Sequence, residues 1–418
     1  MKVKDEYRQP LIQRILAIGV ILLLIVSPTQ FSIEPFKDVH ITLADIILLL
    51  MFPLWAFYHI KFIRTNILSL IPVPVILFVV MVAASCVFGA KVSLKSVKEC
   101  IQYLEYFIIA FCIISNTTTT KADLDRNVVT FFIVTGVIVT WASIHYMTSS
   151  IEPLQVRASF GNRNVLGGYF SLALPLAFGC MLFERSLIRL ALLLVCIVIG
   201  LCTNLSGASV LAISVAFLII SMLRGVKFFI ITGFIMLILF VFLMPSLPRN
   251  NTNVWYDSIA LYDAGGEVTP RYPEWQAGVT MVRKHPVLGV GPGRYQDNIG
   301  RFYGQLPDRT GPSEPDTQNL YLVLASSCGL LCVVFFAGIM IFFVLQAMRC
   351  FFITNNVFYR GIAAGCAGAI VAYAINCIWA PLLVRGIGIP LVTVMAFIAV
   401  LEKLVETDKQ SRECPINT

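Results

Sequence analysis

The sequence predicts an all-α, polytopic integral membrane protein with about twelve transmembrane helices and one large outer-face loop. Three observations predict it. Apolar residues make up 58% of the 418-residue chain and charged residues only 13%, whereas soluble proteins carry roughly a quarter charged residues. Mean hydropathy is +0.84. The apolar residues also fall into runs of roughly 17 to 25, long enough to cross a bilayer as helices, and these repeat from residue 15 to residue 402 with a single hydrophilic gap. The chain therefore reads as one transmembrane domain, 1–418, with a large periplasmic or extracellular loop, 246–318, between the ninth and tenth helices.

Taken in order, the basic amino-terminal stretch MKVKDEYRQPLIQR leads into the first apolar run. No small-residue cleavage site follows, so it reads as a retained span and not a signal peptide. Spans are expected near 15–33, 41–60, 67–88, 99–115, 127–147, 165–183, 187–204, 207–223 and 226–245, and after the long loop near 319–347, 357–380 and 386–402. With the amino terminus inside, the inner segments hold Lys2, Lys4, Arg8, Arg14, Lys61, Arg64, Arg185, Arg189, Arg224, Lys227, Arg349, Arg360 and Lys403, as the positive-inside rule asks. Both termini are then cytoplasmic in a multi-pass protein of the plasma membrane. The loop should contain a helix, because EWQAGVTMVRKHP carries apolar residues at helical spacing and stops at a Pro.

Several function classes lose support on composition. The 12 Cys are scattered through apolar runs with no CxxC pair and no His at ligand spacing, so neither a disulfide framework nor a metal site is expected. Cys328 and Cys332, four apart, read as packing residues. The net charge of +8 is spread over interhelical loops, which suits anionic membrane lipids and not nucleic acid. A proton-coupled carrier needs ionisable residues within its spans, and Asp45 and Glu105 are the few such residues. A purely structural membrane protein needs no long outer loop rich in Arg, Trp and Tyr.

Three outer-face features break the basic-inside pattern. In KVSLKSVKECIQYLEYF, Lys91, Lys95, Lys98 and Gln102 recur at helical spacing on one face, where lysines can hold a lipid phosphate or snorkel to headgroups. In LQVRASFGNRNVLGGYFSLALPLA, Arg157 and Arg163 flank a Gly and Asn cluster just ahead of a span. Paired arginines there can grip a diphosphate in bidentate fashion. In TPRYPEWQAGVTMVRKHPVLGVGPGRYQ, Arg271 precedes the expected loop helix and a Gly-rich turn follows it. GVGPG follows no strand and lacks the Lys-Ser or Lys-Thr of a nucleotide loop, so its glycines are assigned to tight backbone packing.

The order of these pieces resembles the O-antigen ligase and O-antigen polymerase superfamily. RASFGNRNVLGGYFSLALPL is similar to the family's Arg, Gly-Asn-x-Asn and small-residue helix ending in Leu-Pro. Arg271, Trp275 and PVLGVGPG are similar to the Arg, aromatic helix and Pro-x-x-Gly-x-Gly turn that open its outer loop. The resemblance implies a glycosyltransferase acting at the outer face of a bacterial plasma membrane in cell-surface polysaccharide biosynthesis. The implied donor is an undecaprenyl-diphosphate-linked glycan, and the acceptor is a lipid A core in ligases or another lipid-linked glycan in polymerases. It implies no nucleotide, metal or other cofactor, with Arg cations stabilising the departing diphosphate.

Two departures qualify the resemblance. At the mouth of the tenth span, EPDTQNLYL places Gln318-Asn319 where the family carries His-Asn, and a glutamine cannot take a proton. In LCTNLSGASVL, Ser206 meets Gly207 directly where the family has Ser-Arg-Gly. Two readings stay open. In one, chemistry persists: Asp316 or Glu314 acts as base, Gln318 orients the acceptor, Arg271 with Arg157 and Arg163 bears the diphosphate, and Asn164, Asn319, Trp275 and the lysines Lys91, Lys95 and Lys98 bind substrate. In the other, the protein has lost activity and binds lipid-linked glycan or scaffolds an assembly complex. The departures lean the first reading towards a polymerase of an exported polysaccharide.

Overall fold

In lipid each backbone amide must find its partner within the protein, which leaves the helix as the way for runs of this composition to cross. The computed structural model describes residues 2–30, 32–36, 39–64, 70–89, 93–148, 156–184, 186–204, 206–246, 271–302 and 318–413. Helix α1 (Lys2–Val26) is followed by a short antiparallel hairpin, β1 (Ser32–Phe36) and β2 (Val39–Thr42), and by α2 (Leu43–Tyr58), which ends in a π turn at His59–Ile63. After α3 (Val73–Phe88), α4 (Leu94–Leu104) runs through a π-helical stretch, Glu105–Ala110, into α5 (Phe111–Thr117). Then come α6 (Lys121–Thr148), α7 (Arg163–Phe183), α8 (Leu187–Thr203), α9 (Gly207–Arg224) and α10 (Val226–Ser246). The loop contributes α11 (Arg271–Lys284), α12 (Tyr295–Ile299) and a 3₁₀ turn, Gly300–Phe302. The chain ends with α13 (Leu320–Cys328), α14 (Leu330–Ile353), α15 (Val357–Asn376) and α16 (Gly388–Glu413).

Among the described residues, seven helices are long and apolar enough to cross a membrane, and four shorter apolar helices, at Leu11–Val26, Val73–Phe88, Leu187–Thr203 and Val226–Leu239, lie at further expected spans. The expected loop helix is α11, which gives way to His285 and Pro286. Among the boundaries that differ from expectation, three have a cause visible in the residues. The first run, expected to 33, leaves the helix at Val26, ahead of Pro28, and its last residues enter the hairpin. The tenth, expected as one helix over 319–347, is two, because Gly329 between them takes φ +90°. The twelfth continues past 402 to Glu413 because LEKLVETDKQSRE is rich in strong helix formers.

Helix α7 is buried nearly all round, as an all-apolar, small-residue helix should be. With little hydrophobic drive between helices in lipid, close approach through small residues does much of the packing. At Gly179 an added Cβ would lie 2.4 Å from Gly365 Cα and 2.8 Å from the Gly361 carbonyl, so α7 and α15 cross backbone to backbone. Buried polar pairs fasten the same core: Asn376 Nδ2 donates to Ser171 Oγ at 3.0 Å, and the Thr135 and Tyr169 hydroxyls lie 2.9 Å apart.

The bundle has two unlike ends. At one, charged side chains pair across helices: Arg349 with Glu402 at 3.3 Å and Glu406 at 3.4 Å, and Arg189 with Asp125 at 3.5 Å. These arginines are more than half exposed, so each pair contributes little to stability. The other end gathers the close of α1 and α3, the starts of α2, α4, α7, α9 and α13, and the loop elements α11 and α12. There Gln30 accepts from the Gly161 amide and donates to the Arg385 carbonyl, and Ser85 donates to the carbonyls of Leu288 and Ser327.

Candidate functional site

The second end is assembled around the Gly-rich turn. The Val290 and Gly291 amides donate to the Ser326 and Ser327 carbonyls, each at 2.9 Å, and the Leu330 amide donates to the Pro286 carbonyl at 2.9 Å. The turn thus takes up carbonyls freed where α13 breaks from α14. Gly289, Gly291 and Gly293 all have positive φ, at 63°, 105° and 68°, conformations that suit glycine best. A Cβ on Gly289 would meet the Ser327 carbonyl at 2.3 Å, and one on Gly293 would meet the Lys95 carbonyl at 3.0 Å. The expected role for these glycines, close backbone packing, is the one observed.

Helices α7 and α13 start at this end under side-chain caps. The Asn162 oxygen accepts from the Val165 amide at 2.9 Å, and the Asn319 oxygen accepts from the Leu322 amide at 3.1 Å. The α13 start is also tied to the end of α15, where the Leu320 amide donates to the Cys377 carbonyl at 2.9 Å. Ser206, where the sequence lacks an expected Arg, donates to Asn164 Oδ1 at 3.2 Å and so joins the α9 start to α7.

Between these elements lies a cavity of about 470 Å³. Its polar wall is formed by Asn162 and Asn164 of α7, Gln318 ahead of α13, and Glu99 and Tyr103 of α4, and the segment 380–384 closes it from the side of α16. Tyr295 and Gln296 add a ring and an amide from α12. Amides and hydroxyls around an apolar floor suit a polyhydroxylated ligand, and tyrosine rings offer faces for sugar rings.

The residues singled out from the sequence are distributed as follows. Gln318 and Asn164 line the cavity, and Arg163 is the first residue of α7 between its two lining asparagines. Asn319 is buried, with its side-chain oxygen committed to the α13 cap. Lys95 Nζ pairs with Asp297 Oδ1 at 3.1 Å where α4 meets α12, while Lys98 is half-buried on the next turn. Arg157 is exposed in the turn before α7, and Trp275 is half-buried on α11. Arg271 is the first residue of α11. Lys91, Glu314 and Asp316 lie outside the described residues.

Two charged residues at this end escape the sequence reading. Glu99 lines the cavity and accepts a hydrogen bond from the Tyr103 hydroxyl one turn along α4. In the sequence it is hidden within a stripe that stands out for its lysines. Arg385, next to the lining residue Val384, points towards α2, with Nη2 3.8 Å from Asp45 Oδ2. Its Nη1 and Asp45 Oδ1 are buried without hydrogen-bond partners among the described residues. A lone Arg between the eleventh and twelfth helices breaks the basic-inside pattern, and that signal could have found it. Asp45, an ionisable residue in an apolar run, also caps its own helix. Its Oδ2 accepts from the Thr42 amide at 2.8 Å and closes a capping box on α2.

With this geometry in place, comparison with known families finds that residues 192–337 match the model for O-antigen ligase. That segment is similar to the O-antigen ligase family. The match supports the O-antigen ligase and polymerase superfamily that the sequence motifs resemble. No curated protein matches the chain. Within the O-antigen ligase match lie α9, α10, Arg271, Trp275, the Gly-rich turn and Gln318, while Glu99, Asn164 and Arg385 reach the same end of the bundle from outside it. With seven helices among the described residues long and apolar enough to cross a membrane, the match fits a multi-pass membrane protein.

Proposed function

We propose that this protein is a membrane glycosyltransferase that takes glycan from an undecaprenyl-diphosphate-linked donor at the outer face of the bacterial plasma membrane and polymerises or transfers it in cell-surface polysaccharide biosynthesis. The observation that carries the reading is the cavity of about 470 Å³, around which the Gly-rich turn and Gln318 of the O-antigen ligase match meet the capped start of α7. On this reading the cavity holds sugar of the donor or acceptor, Gln318 and Asn164 orient hydroxyls, and Arg163 and Arg271 bear the diphosphate. Diphosphate is a good leaving group, so placing the acceptor and stabilising the emerging charge account for most of the rate. The termini and the charged end face the cytoplasm, where the arginines and lysines of that end meet anionic headgroups.

Gln318 in place of the family's His and the missing Arg at Ser206-Gly207 favour a polymerase over a ligase on this reading. The test reconstitutes the purified protein in liposomes with an undecaprenyl-diphosphate-linked oligosaccharide, with and without a lipid A core acceptor, and follows release of undecaprenyl diphosphate. Longer glycans without the core acceptor are expected. Product only with the core would make it a ligase. Donor binding without release would replace transfer by the binding or scaffolding role.

A further inference from the structure

We propose that Glu99 is the catalytic base of this site, the carboxylate that takes the acceptor's proton in a chain whose tenth-helix mouth carries Gln318 instead of a titratable residue. The inference rests on the glycosyltransferase reading and names the group that this reading leaves unassigned.

Position is the first argument. Glu99 lines the same cavity as Gln318 and Asn164, and among the described lining residues it is the one carboxylate. A hydroxyl oriented in this cavity by the Gln318 amide therefore has a carboxylate lining the same space, and an acceptor bound between them would bring its proton within the hydrogen-bond reach that general base catalysis requires.

Support is the second. The Tyr103 hydroxyl donates to the carboxylate and helps set its direction. The Lys95–Asp297 pair, at 3.1 Å, marks where α4 meets α12. Gly293 presses on the same turn of α4: a Cβ there would lie 3.5 Å from Glu99 Cβ. A residue without a side chain at that point leaves the cavity open beside the carboxylate.

Charge is the third. Lys98 and Arg385 are the cations that act on Glu99. Arg385 has Asp45 at 3.8 Å as a partner of its own, so it does not rely on Glu99 alone for a counter-charge.

The step balances simply. The acceptor O–H proton passes to the Glu99 carboxylate as the acceptor oxygen forms a bond to the anomeric carbon. The bond from that carbon to the diphosphate oxygen breaks, and its electron pair leaves with undecaprenyl diphosphate.

The experiment compares wild type, Glu99→Gln, Glu99→Asp and Glu99→Ala in liposomes, measuring donor affinity and undecaprenyl diphosphate release separately. Glu99→Gln is expected to bind donor like wild type while transfer falls about 100-fold or more, the usual range for a lost general base. Glu99→Asp keeps the charge but draws the carboxylate back by one methylene, so transfer should fall while donor affinity holds. In Glu99→Ala, azide should restore release and form a glycosyl azide, because azide has no proton to lose. Transfer by Glu99→Gln within a few-fold of wild type would overturn the assignment and leave the glycosyltransferase reading intact. So would loss of donor binding in all three variants without azide rescue, which marks a structural counter-ion. A wild-type protein that binds donor and releases nothing would instead overturn the glycosyltransferase reading, and this inference with it.

Discussion

Gly329 is the hinge on which the cavity end depends, and Gly329→Val is the substitution that tests it. Its φ is +90° and ψ 166°, a region that is essentially closed to residues with a side chain. An added Cβ would lie 1.8 Å from the Val287 carbonyl oxygen, so the 286–291 turn must move away. Three hydrogen bonds go with it, from the amides of Val290, Gly291 and Leu330, each at 2.9 Å. At about 1 kcal/mol net each, with about 1–2 kcal/mol of backbone strain added, the docked arrangement loses roughly 4 kcal/mol. Since 1.4 kcal/mol is tenfold, the ratio of docked to undocked turn should fall by about three orders of magnitude. Hydrogen exchange in detergent or nanodiscs reads this directly. The amides of 290, 291 and 330 should exchange at least about 100-fold faster, while those of α7 and α15 stay protected and glycan transfer is lost. An inserted Gly329→Val protein whose three amides keep wild-type protection would refute the account of how this end is held.

The remaining predictions concern the crossing helices, the mouth and the loop. Gly179→Leu should lower thermal stability by about 3 kcal/mol or more, because its Cβ would start 2.4 Å from Gly365 Cα; Gly136→Ala on α6, which meets nothing within 4 Å, should leave the melting temperature unchanged or higher. Gln318 has φ +48°, which costs a side-chain-bearing residue about 1 kcal/mol, while glycine costs a comparable amount in chain entropy. Gln318→Gly should therefore melt within a few degrees of wild type yet raise KM for the acceptor, and an unchanged KM would remove Gln318 from the site. Arg271→Ala should abolish release of undecaprenyl diphosphate while insertion and melting are kept, and full activity would end its assignment to the diphosphate.

What the sequence makes legible follows from how far each signal reaches. Apolar runs of membrane length are a strong local signal, so every described helix of the bundle falls on an expected run. Helix α11 is legible from its own period and from Pro286. The break at Gly329 is not, because in a continuous apolar run a glycine looks like any other small residue until its φ is known. The hairpin at 32–42 reads in the sequence as the connection between two spans together with their last and first residues, since a strand of four or five residues such as VHIT is too short to show a period of its own. At the site, the polar mouth at Gln318 and the Asn cluster before α7 stand out because they interrupt apolar sequence. Glu99 does not, since only the packing of α4 against the Gly-rich turn brings it to the cavity. Asn319 looks like a substrate ligand and caps a helix, because an Asn ahead of an apolar run satisfies either role.

The placement of unusual backbone shows how the two ends divide the work. Among the described residues, the positive-φ positions are Arg64, Ala158 and Gln318 with Gly225, Gly289, Gly291, Gly293, Gly329 and Gly386, and all but Arg64 and Gly225 lie at the cavity end. Such conformations persist only where surrounding structure holds them, and they gather at functional sites. Here the holding structure is the bundle itself: α4, α7, α13 and α15 enter this end as closely packed helices, and the irregular segments are hung between their tips. The O-antigen ligase match, 192–337, supplies the Gly-rich turn and Gln318 but neither Glu99, Asn164 nor the 380–384 segment. The matched segment therefore builds part of the cavity wall, and the site depends on the helices on either side of it. On the proposed function, glycan transfer is accordingly a property of the whole bundle, since Glu99 of α4, Asn164 of α7 and the 380–384 segment all line the cavity.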